Sequence, residues 1–571
     1  MKFIKWIKKS ALKNQTKKIP VSIEHQENLP DWAALFARQN RLWHNSKKNA
    51  QNGPNILIAT TVGGFAALSS LESLLAVALT LRGARVHTLL CDAALPACLR
   101  VENPTIPDPK VIADYGIQKR LCDDCQRTGQ YLFEPLGLQN HKLGDQINVD
   151  ERQLAKTIAS EVPMAEIPSY QFNGISVGEH AYAGALRYFA SGNLDSEPLG
   201  ETVVRRYLEA AILTAVGLKH LLTKVRFQSS CFNHGIYCPQ GVIGEVLRKA
   251  GTHVVNWNIA YRKKCFIFSH GDTYHHTLLD EPTDVWESME WNSNLESQTQ
   301  QYLRSRWQGS NDWIWFHEKP EERFDKIATE LELDRSKPII GMLTNVMWDA
   351  QLHYRANAFP NMLSWVLDTI DFFAQKPDLQ LVIRIHPAEI RGTLPSRQPL
   401  LQEIRKVWST LPQNVKLIPP ESPVSTYAIM EHCDSVLIYG TKTGVELTSS
   451  GIPVIVAGEA WVRNKGITLD ASTRDEYMAI LASLPLGKRL DDATRERALK
   501  YACHFFFRRM IPVQFMEPTG AWPPYKPSIE SLEQLMPGVD TGLDIICDGI
   551  LKGSPFIYPV EKFIKNEKIN S

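Results

Sequence analysis

The chain has 571 residues, 44% of them hydrophobic and 22% charged, with 63 Lys and Arg against 62 Asp and Glu. At roughly 100–200 residues per domain this makes two or three domains with cores of their own, neither disordered nor fibrous. The charge balance excludes nonspecific nucleic-acid binding as a whole-chain strategy, so no nucleic acid is expected as a partner, and no run approaches the roughly 20 apolar residues of a membrane-spanning helix.

Residues 1–54 read as a basic tail and approach segment. Residues 1–18 carry seven lysines and no acid, with Phe3, Ile4, Ile7, Ala11 and Leu12 at helical spacing. A helix of this kind lies on an anionic membrane surface, which points to peripheral contact at the inner face of the cell membrane; a solvated tail is the alternative. The segment lacks the small-residue cleavage site of a secretory signal. Ten cysteines in a chain read as cytoplasmic favour reduced thiols or a metal site over a disulfide framework.

Residues 55–281 read as a first doubly wound, Rossmann-like domain. Asn55–Thr61 is a short apolar run suited to a buried strand, followed by a helix from about Leu68 to Leu81 and a second strand at Arg85–Leu90. The alternation continues with an amphipathic stretch at Val203–Thr223, a strand at Val225–Phe232, a helix at Gly241–Ala250 and a strand at His253–Trp257. Residues 282–336 read as a helical connector with Trp286, Trp291, Trp307, Trp313 and Trp315, rings expected to pack more than to bind sugar. Residues 337–490 read as a second domain of the same class, with strands at Ile339–Leu343, Leu379–Ile385, Val415–Ile418, Ser435–Tyr439 and Pro453–Ala457. Residues 491–571 are a helical return segment and tail. Two such domains face each other across a cleft at strand carboxyl ends, where open α/β sheets bind ligands.

Two segments carry the chemistry. Arg384-Ile-His-Pro387 ends a strand, and alternation puts Arg384 and His386 on one side, where both suit a phosphate; a structural histidine and a surface arginine are the competing reading. Tyr439-Gly-Thr-Lys-Thr-Gly-Val-Glu446 runs from a strand into a helix, with Gly440 and Gly444 for close backbone approach, Thr441 and Thr443 for hydroxyls, and Glu446 one turn in, where a carboxylate accepts ribose hydroxyls or simply answers the helix dipole. The spacing is not that of a nucleotide-hydrolysing phosphate loop.

With Asn233-His-Gly-Ile-Tyr237 and Pro239-Gln-Gly241 in the first half, these segments resemble the bacterial capsule polysaccharide biosynthesis proteins, glycosyltransferases of the GT-B fold. The resemblance is best over 337–460 and weaker over 55–280. It implies a nucleotide-sugar donor in the second domain, a glycan or lipid-linked glycan acceptor in the first, hexosyl or Kdo-type transfer with inversion, and no cofactor or metal required for transfer. It also implies that His386, Thr441 and Thr443 hold the donor phosphate and that Glu446 lies near ribose or base; the threonines stand where many relatives have a serine pair.

A base for the acceptor proton belongs in the opposite domain, where His234, Glu179, His180 and Asp92 are candidates and His234 or Glu179 is favoured. Tyr261–Lys264 and Ser269–His276 form a cation-rich stretch suited to an anionic acceptor. Cys122-Asp-Asp-Cys125 with Cys91 and Cys98 is compatible with a structural zinc site, with buried free thiols or a redox pair as alternatives. Competing functions are a nucleotide-sugar epimerase or CDP-polyol phosphotransferase on the same fold, and a non-catalytic glycan-binding part of an export complex.

Overall fold

The computed structural model describes residues 26–308, 312–313, 320–349, 357–392, 394–520 and 522–564, without the side chains of Trp307 and Gln308. The basic segment 1–18 and Trp315 lie outside the described residues. No helix among the described residues is long and apolar enough to cross a membrane.

The first sheet comprises β1 (Asn55–Thr61), β2 (Arg85–Leu90), β3 (Gln139–Lys142), β4 (Ser229–Asn233), β5 (His253–Ile259) and β6 (Cys265–His270). The second comprises β7 (Ile339–Leu343), β8 (Gln380–Arg384), β9 (Val415–Ile418), β10 (Ser435–Ile438), β11 (Val454–Val456) and β12 (Leu469–Asp470). A late strand, β13 (Met510–Pro512), joins the first sheet, giving the order β13-β6-β5-β4-β1-β2-β3; the second runs β12-β11-β10-β7-β8-β9 and is parallel throughout. This is a two-domain, Rossmann-like α/β architecture.

The strands form where the sequence offers short apolar runs covered on both faces. All of Ile56–Thr61 is buried, and the helix Ala66–Leu81 behind it is buried from Ala67 to Thr80. In β7, Ile339 and Leu343 face one core while Ile340 and Met342 face the other, as strand alternation requires. The strand expected at Val225–Phe232 starts at Ser229, because the preceding residues only lead in: Gln228 N donates to Asn55 O at 2.9 Å before the ladder begins.

Residues 282–336 are helical in three pieces, Asp284–Glu287, Ser293–Gln308 and Phe324–Glu330. They do more than connect. Trp286, Leu295, Tyr302 and Ile327 share a core with Val436, Ile438 and Val454 of the second sheet. Trp286 is fully buried, 5.3 Å from the Tyr501 ring, and Trp313 Nε1 donates to Ala260 O at 2.7 Å, so these two rings pack. The helix Asp492–Cys503 also packs on the second domain, after which the buried Phe505, Phe506 and Phe507 lead the chain back to β13, antiparallel to β6.

In each sheet the strand order reverses once, between β1 and β4 and between β7 and β10. The carboxyl ends of such pairs are where open α/β sheets form their ligand crevices.

Candidate active site

The second-domain crevice is organised by the two residues that follow β7. His386 N donates to Thr344 Oγ1 at 3.1 Å, and Gly440 N donates to Asn345 Oδ1 at 3.3 Å. The segments after β8 and β10, singled out separately in the sequence, are therefore tied to consecutive residues on one edge of one sheet. Nothing in the sequence pointed to Thr344 and Asn345; their position after a central strand was the available signal.

Ala388 N donates to His386 Nδ1 at 3.1 Å, which makes Nδ1 the acceptor and puts the ring proton of the neutral imidazole on Nε2. Burial, then the charges of Lys442 and Arg384, lower the His386 pKa to about 4, so the ring is a neutral Nε2–H donor at physiological pH. Thr441 Oγ1 accepts from Thr443 N at 3.3 Å and lies 3.2 Å from Thr443 Oγ1. Lys442 reaches across to the first half, its Nζ 4.6 Å from the centre of the Tyr261 ring and 3.5 Å from Glu446 Oε1. Burial, then the charge of Arg306, hold this ammonium below its usual pKa. Lys442 went unremarked in the sequence, although it is the single cation between the two threonines. Pro387 ends the strand and opens the short helix Ala388–Arg391.

Three residues expected at the donor have other duties. Arg384 is buried, and its guanidinium donates to Pro419 O at 2.6 Å and Ser422 O at 3.1 Å, so it braces the loop after β9. Strand alternation gives no sign of the carbonyls that claim it. Glu446 is 2% exposed, ion-paired with Arg306 at 3.1 Å and Lys442, and accepts from the Tyr427 hydroxyl. Burial pushes its carboxyl up, but Arg306 and Lys442 outweigh that and hold it below its usual range. It is an internal counter-ion and not a ribose acceptor. A Cβ on Gly444 would meet Ile438 Cδ1 at 2.7 Å and Val462 Cγ1 at 2.9 Å, so this glycine serves core packing and not approach to a ligand.

In the first domain His234 follows β4 at the reversal point, with φ +67°, ahead of Gly235 at +80°. A positive φ at a non-glycine residue is strain the surrounding fold must hold. His234 Nδ1 is buried and has no hydrogen-bond partner among the described residues, and the ring lies 4.8 Å from Tyr237 and 5.6 Å from His275. Burial, then the charge of Arg187, lower its pKa to about 3. His180 donates from Nδ1 to Ile236 O at 2.5 Å and so supports the turn that carries His234. Asp92 accepts from Gly144 N at 2.6 Å, a turn contact. Glu179, in the first turn of the helix Val177–Phe189, and Glu459 of the second domain both act electrostatically on His276, which Asp272 holds at 2.8 Å. In the cation-rich stretch, Arg262 donates to Phe506 O at 2.9 Å and lies over the Phe507 ring, so it holds the return segment and not an acceptor.

The two halves touch here. The Tyr237 hydroxyl donates to Asp349 Oδ1 at 3.1 Å, and Trp461 of the second domain lies 5.3 Å from Tyr274 and 5.6 Å from His275. His234 therefore belongs to an aromatic and imidazole cluster that spans the cleft.

Cys91, Cys98, Cys122 and Cys125 line one cavity of about 20 Å³, room for little more than a water. Gly64 N donates to Cys125 Sγ at 3.1 Å, and burial raises the pKa of all four thiols. Yet among the described residues no three His, Cys, Asp or Glu side chains are grouped so as to hold a metal ion. Of the readings open for these four residues, the geometry favours buried, protonated thiols around a small cavity. The other six cysteines are buried core residues.

Residues 314–500 match the family model described as capsule polysaccharide biosynthesis protein. Among solved structures, the chain is similar to the beta Kdo 2,4 transferase of Thermosulfurimonas dismutans KpsC at 13% identity, covering 54% of this chain and 87% of that one, with a TM-score of 0.32. The beta Kdo 2,7 transferase of the same protein gives 13% identity, 56% and 88% coverage and a TM-score of 0.31. A UDP-GlcNAc 2-epimerase from Neisseria meningitidis, bound to UDP-GlcNAc, gives 10% identity, 78% and 97% coverage and a TM-score of 0.26. No curated protein matches the chain. The matched residues 314–500 hold the Thr344–Asn345 corner, His386 and the Thr441–Thr443 turn, so the similarity to capsule polysaccharide biosynthesis proteins falls on the second-domain crevice.

Proposed function

We propose that the protein is a glycosyltransferase that moves a sugar from a nucleotide-activated donor to a growing surface polysaccharide or its lipid-linked acceptor. It acts at the inner face of the cell membrane, where residues 1–18 hold it. The observation that carries this reading is the tethering of His386 and Gly440–Thr441 to the consecutive residues Thr344 and Asn345, which gathers an Nε2–H donor, two hydroxyls and the Lys442 ammonium in one crevice.

In this reading the acceptor oxygen attacks the anomeric carbon from the face opposite the leaving nucleotide phosphate, and the configuration inverts. The new C–O bond forms as the bond to the phosphate oxygen breaks. His386 Nε2–H, the threonine hydroxyls and Lys442 stabilise the charge that grows on that phosphate, fixed before reaction and therefore at little reorganisation cost. The acceptor proton passes to His234 or Glu179 across the cleft. His234 is neutral, and its Nδ1 has no hydrogen-bond partner among the described residues. Side-chain donors meet the phosphate charge in this scheme, so turnover persists in the presence of a chelator.

Thermal-shift measurements with CMP-, UDP-, GDP- and CDP-linked sugars identify the donor, because a ligand at 100 times its Kd stabilises the native state by about 2.7 kcal/mol. With that donor, His386→Ala is expected to lower kcat by roughly 100- to 1000-fold with folding intact. A near-normal rate removes His386 from the mechanism, and conversion of the donor in the absence of any acceptor replaces transfer with epimerisation.

A further inference from the structure

At the amino-terminal edge of the second sheet, opposite the His386 crevice, lies a cavity of about 490 Å³. Its walls are the entries to β7 (Lys337, Pro338, Ile339) and β10 (His432, Cys433, Asp434), the loop Gly487–Arg489, and Phe324 and Arg335 of the connector. The five residues of β7 separate the two edges by roughly 16 Å.

Four cations and one carboxylate line this cavity. The carboxylate, Asp434, is turned onto backbone, accepting from Leu486 N at 2.8 Å and Gly487 N at 2.7 Å. Two of the cations are fixed by carbonyls, which orient a positive charge without cancelling it: Lys337 Nζ donates to Pro377 O at 3.0 Å, and Arg489 donates to Cys433 O at 2.9 Å and to Glu431 O. Lys488 is exposed and has no ion pair among the described residues. Arg335 pairs with Asp325 at 2.6 Å, but both are more than half exposed, and such a surface pair is weak and readily exchanged. Against this charge stands a flat wall, the Phe324 ring stacked on His432 at 3.7 Å and 15°.

We propose that this groove binds an acidic oligosaccharide, a stretch of carboxylate-bearing sugar chain. The volume falls within the roughly 300–1,000 Å³ of small-molecule sites and is far larger than a single inorganic anion needs. The spaced cations meet successive carboxylates, and the Phe324–His432 wall takes the apolar face of a sugar ring. The proposal rests on the transferase reading in one respect: the chain held is the product being lengthened, gripped away from the bond-forming crevice.

Fluorescence anisotropy with a labelled oligogalacturonate hexamer tests it on the full-length protein. Binding is expected, weakened by added NaCl, and at least tenfold weaker in the double variant Lys488→Glu, Arg335→Gln, whose melting temperature and nucleotide-sugar binding match wild type. A double variant that binds the hexamer as wild type does, or a neutral maltohexaose that binds equally well, overturns the proposal. Displacement of the hexamer by equimolar inorganic pyrophosphate also overturns it, in favour of a phosphate site. Charge-dependent hexamer binding in a protein that turns over no nucleotide sugar retains the groove and rejects the transferase reading instead.

Discussion

Glu72 is the one ionisable side chain among the fourteen buried residues of its helix, 1% exposed, and its Oε1 accepts from Asn233 N at 2.9 Å and Trp257 Nε1 at 3.0 Å. Burial raises its pKa from 4.5 to about 7 despite those bonds. A carboxyl whose folded pKa is raised lends stability below its unfolded pKa and loses it as pH rises through the folded one, here between 4.5 and about 7. At about 1.4 kcal/mol per unit the loss is about 3 kcal/mol. Glu72→Gln keeps the accepting oxygen and removes the charge. The variant is expected to be more stable than wild type at pH 8 and about equal at pH 4, as read by urea unfolding followed through tryptophan fluorescence. An unchanged unfolding midpoint at pH 8 counts against an ionised Glu72 there. The residue also anchors the backbone of Asn233, immediately before the strained His234, so it positions the turn that carries the proposed base.

At the scale of elements, β7 matters for what it holds at its carboxyl end. Asn345→Ala removes the acceptor of Gly440 N and frees the turn after β10, at a cost of about 1 kcal/mol. The expected result is weaker donor binding, five- to tenfold in KM, with kcat changed less than in His386→Ala; isothermal titration with the donor checks it, and an unaltered Kd dissociates the turn from the donor. β12, only Leu469–Asp470, is too short to carry a signal, but the other five strands of the second sheet were legible because each is a short apolar run bounded by polar residues. β3 was not, since Gln139–Lys142 is a polar, mostly exposed edge strand without an apolar signature. The return strand β13 was missed for a different reason, because its pairing with β6 is set by contacts more than 240 residues apart in the chain. At the candidate site, the placement of His386, Thr441 and Thr443 just beyond β8 and β10 was legible from the strand ends they follow. What lay beyond reach was competition for a side chain: Pro419 and Ser422 carbonyls claim Arg384, and Arg306 claims Glu446 from a distant helix.

For the whole molecule, the joint between the halves is electrostatic as well as apolar. The Glu281 carboxylate receives His504 Nε2 at 2.8 Å and Arg509, while the Lys465 ammonium donates to Glu281 O at 2.9 Å and Leu279 O at 3.2 Å. Burial pushes the Glu281 carboxyl up, but Arg509 and His504 outweigh it and bring the pKa to about 2. A depressed acid stabilises the fold above its unfolded pKa, and that contribution fades as pH falls from 4.5 towards 2. Glu281→Gln leaves Arg509 buried without its partner, which typically costs about 3–5 kcal/mol. Denaturant unfolding at pH 7 is expected to show a loss of this order that narrows below pH 4.5, and a variant as stable as wild type at pH 7 shows that the cluster is not a clamp.

Covalent passage from one half to the other occurs twice, outward just beyond Glu281 and inward through His504–Arg509, and both passages run through that same knot of charge. Two straps set far apart form a door hinge with a fixed axis. Straps fastened together at one pin form a swivel, so the halves can twist against each other as well as part, and a bulky saccharide can enter from the side.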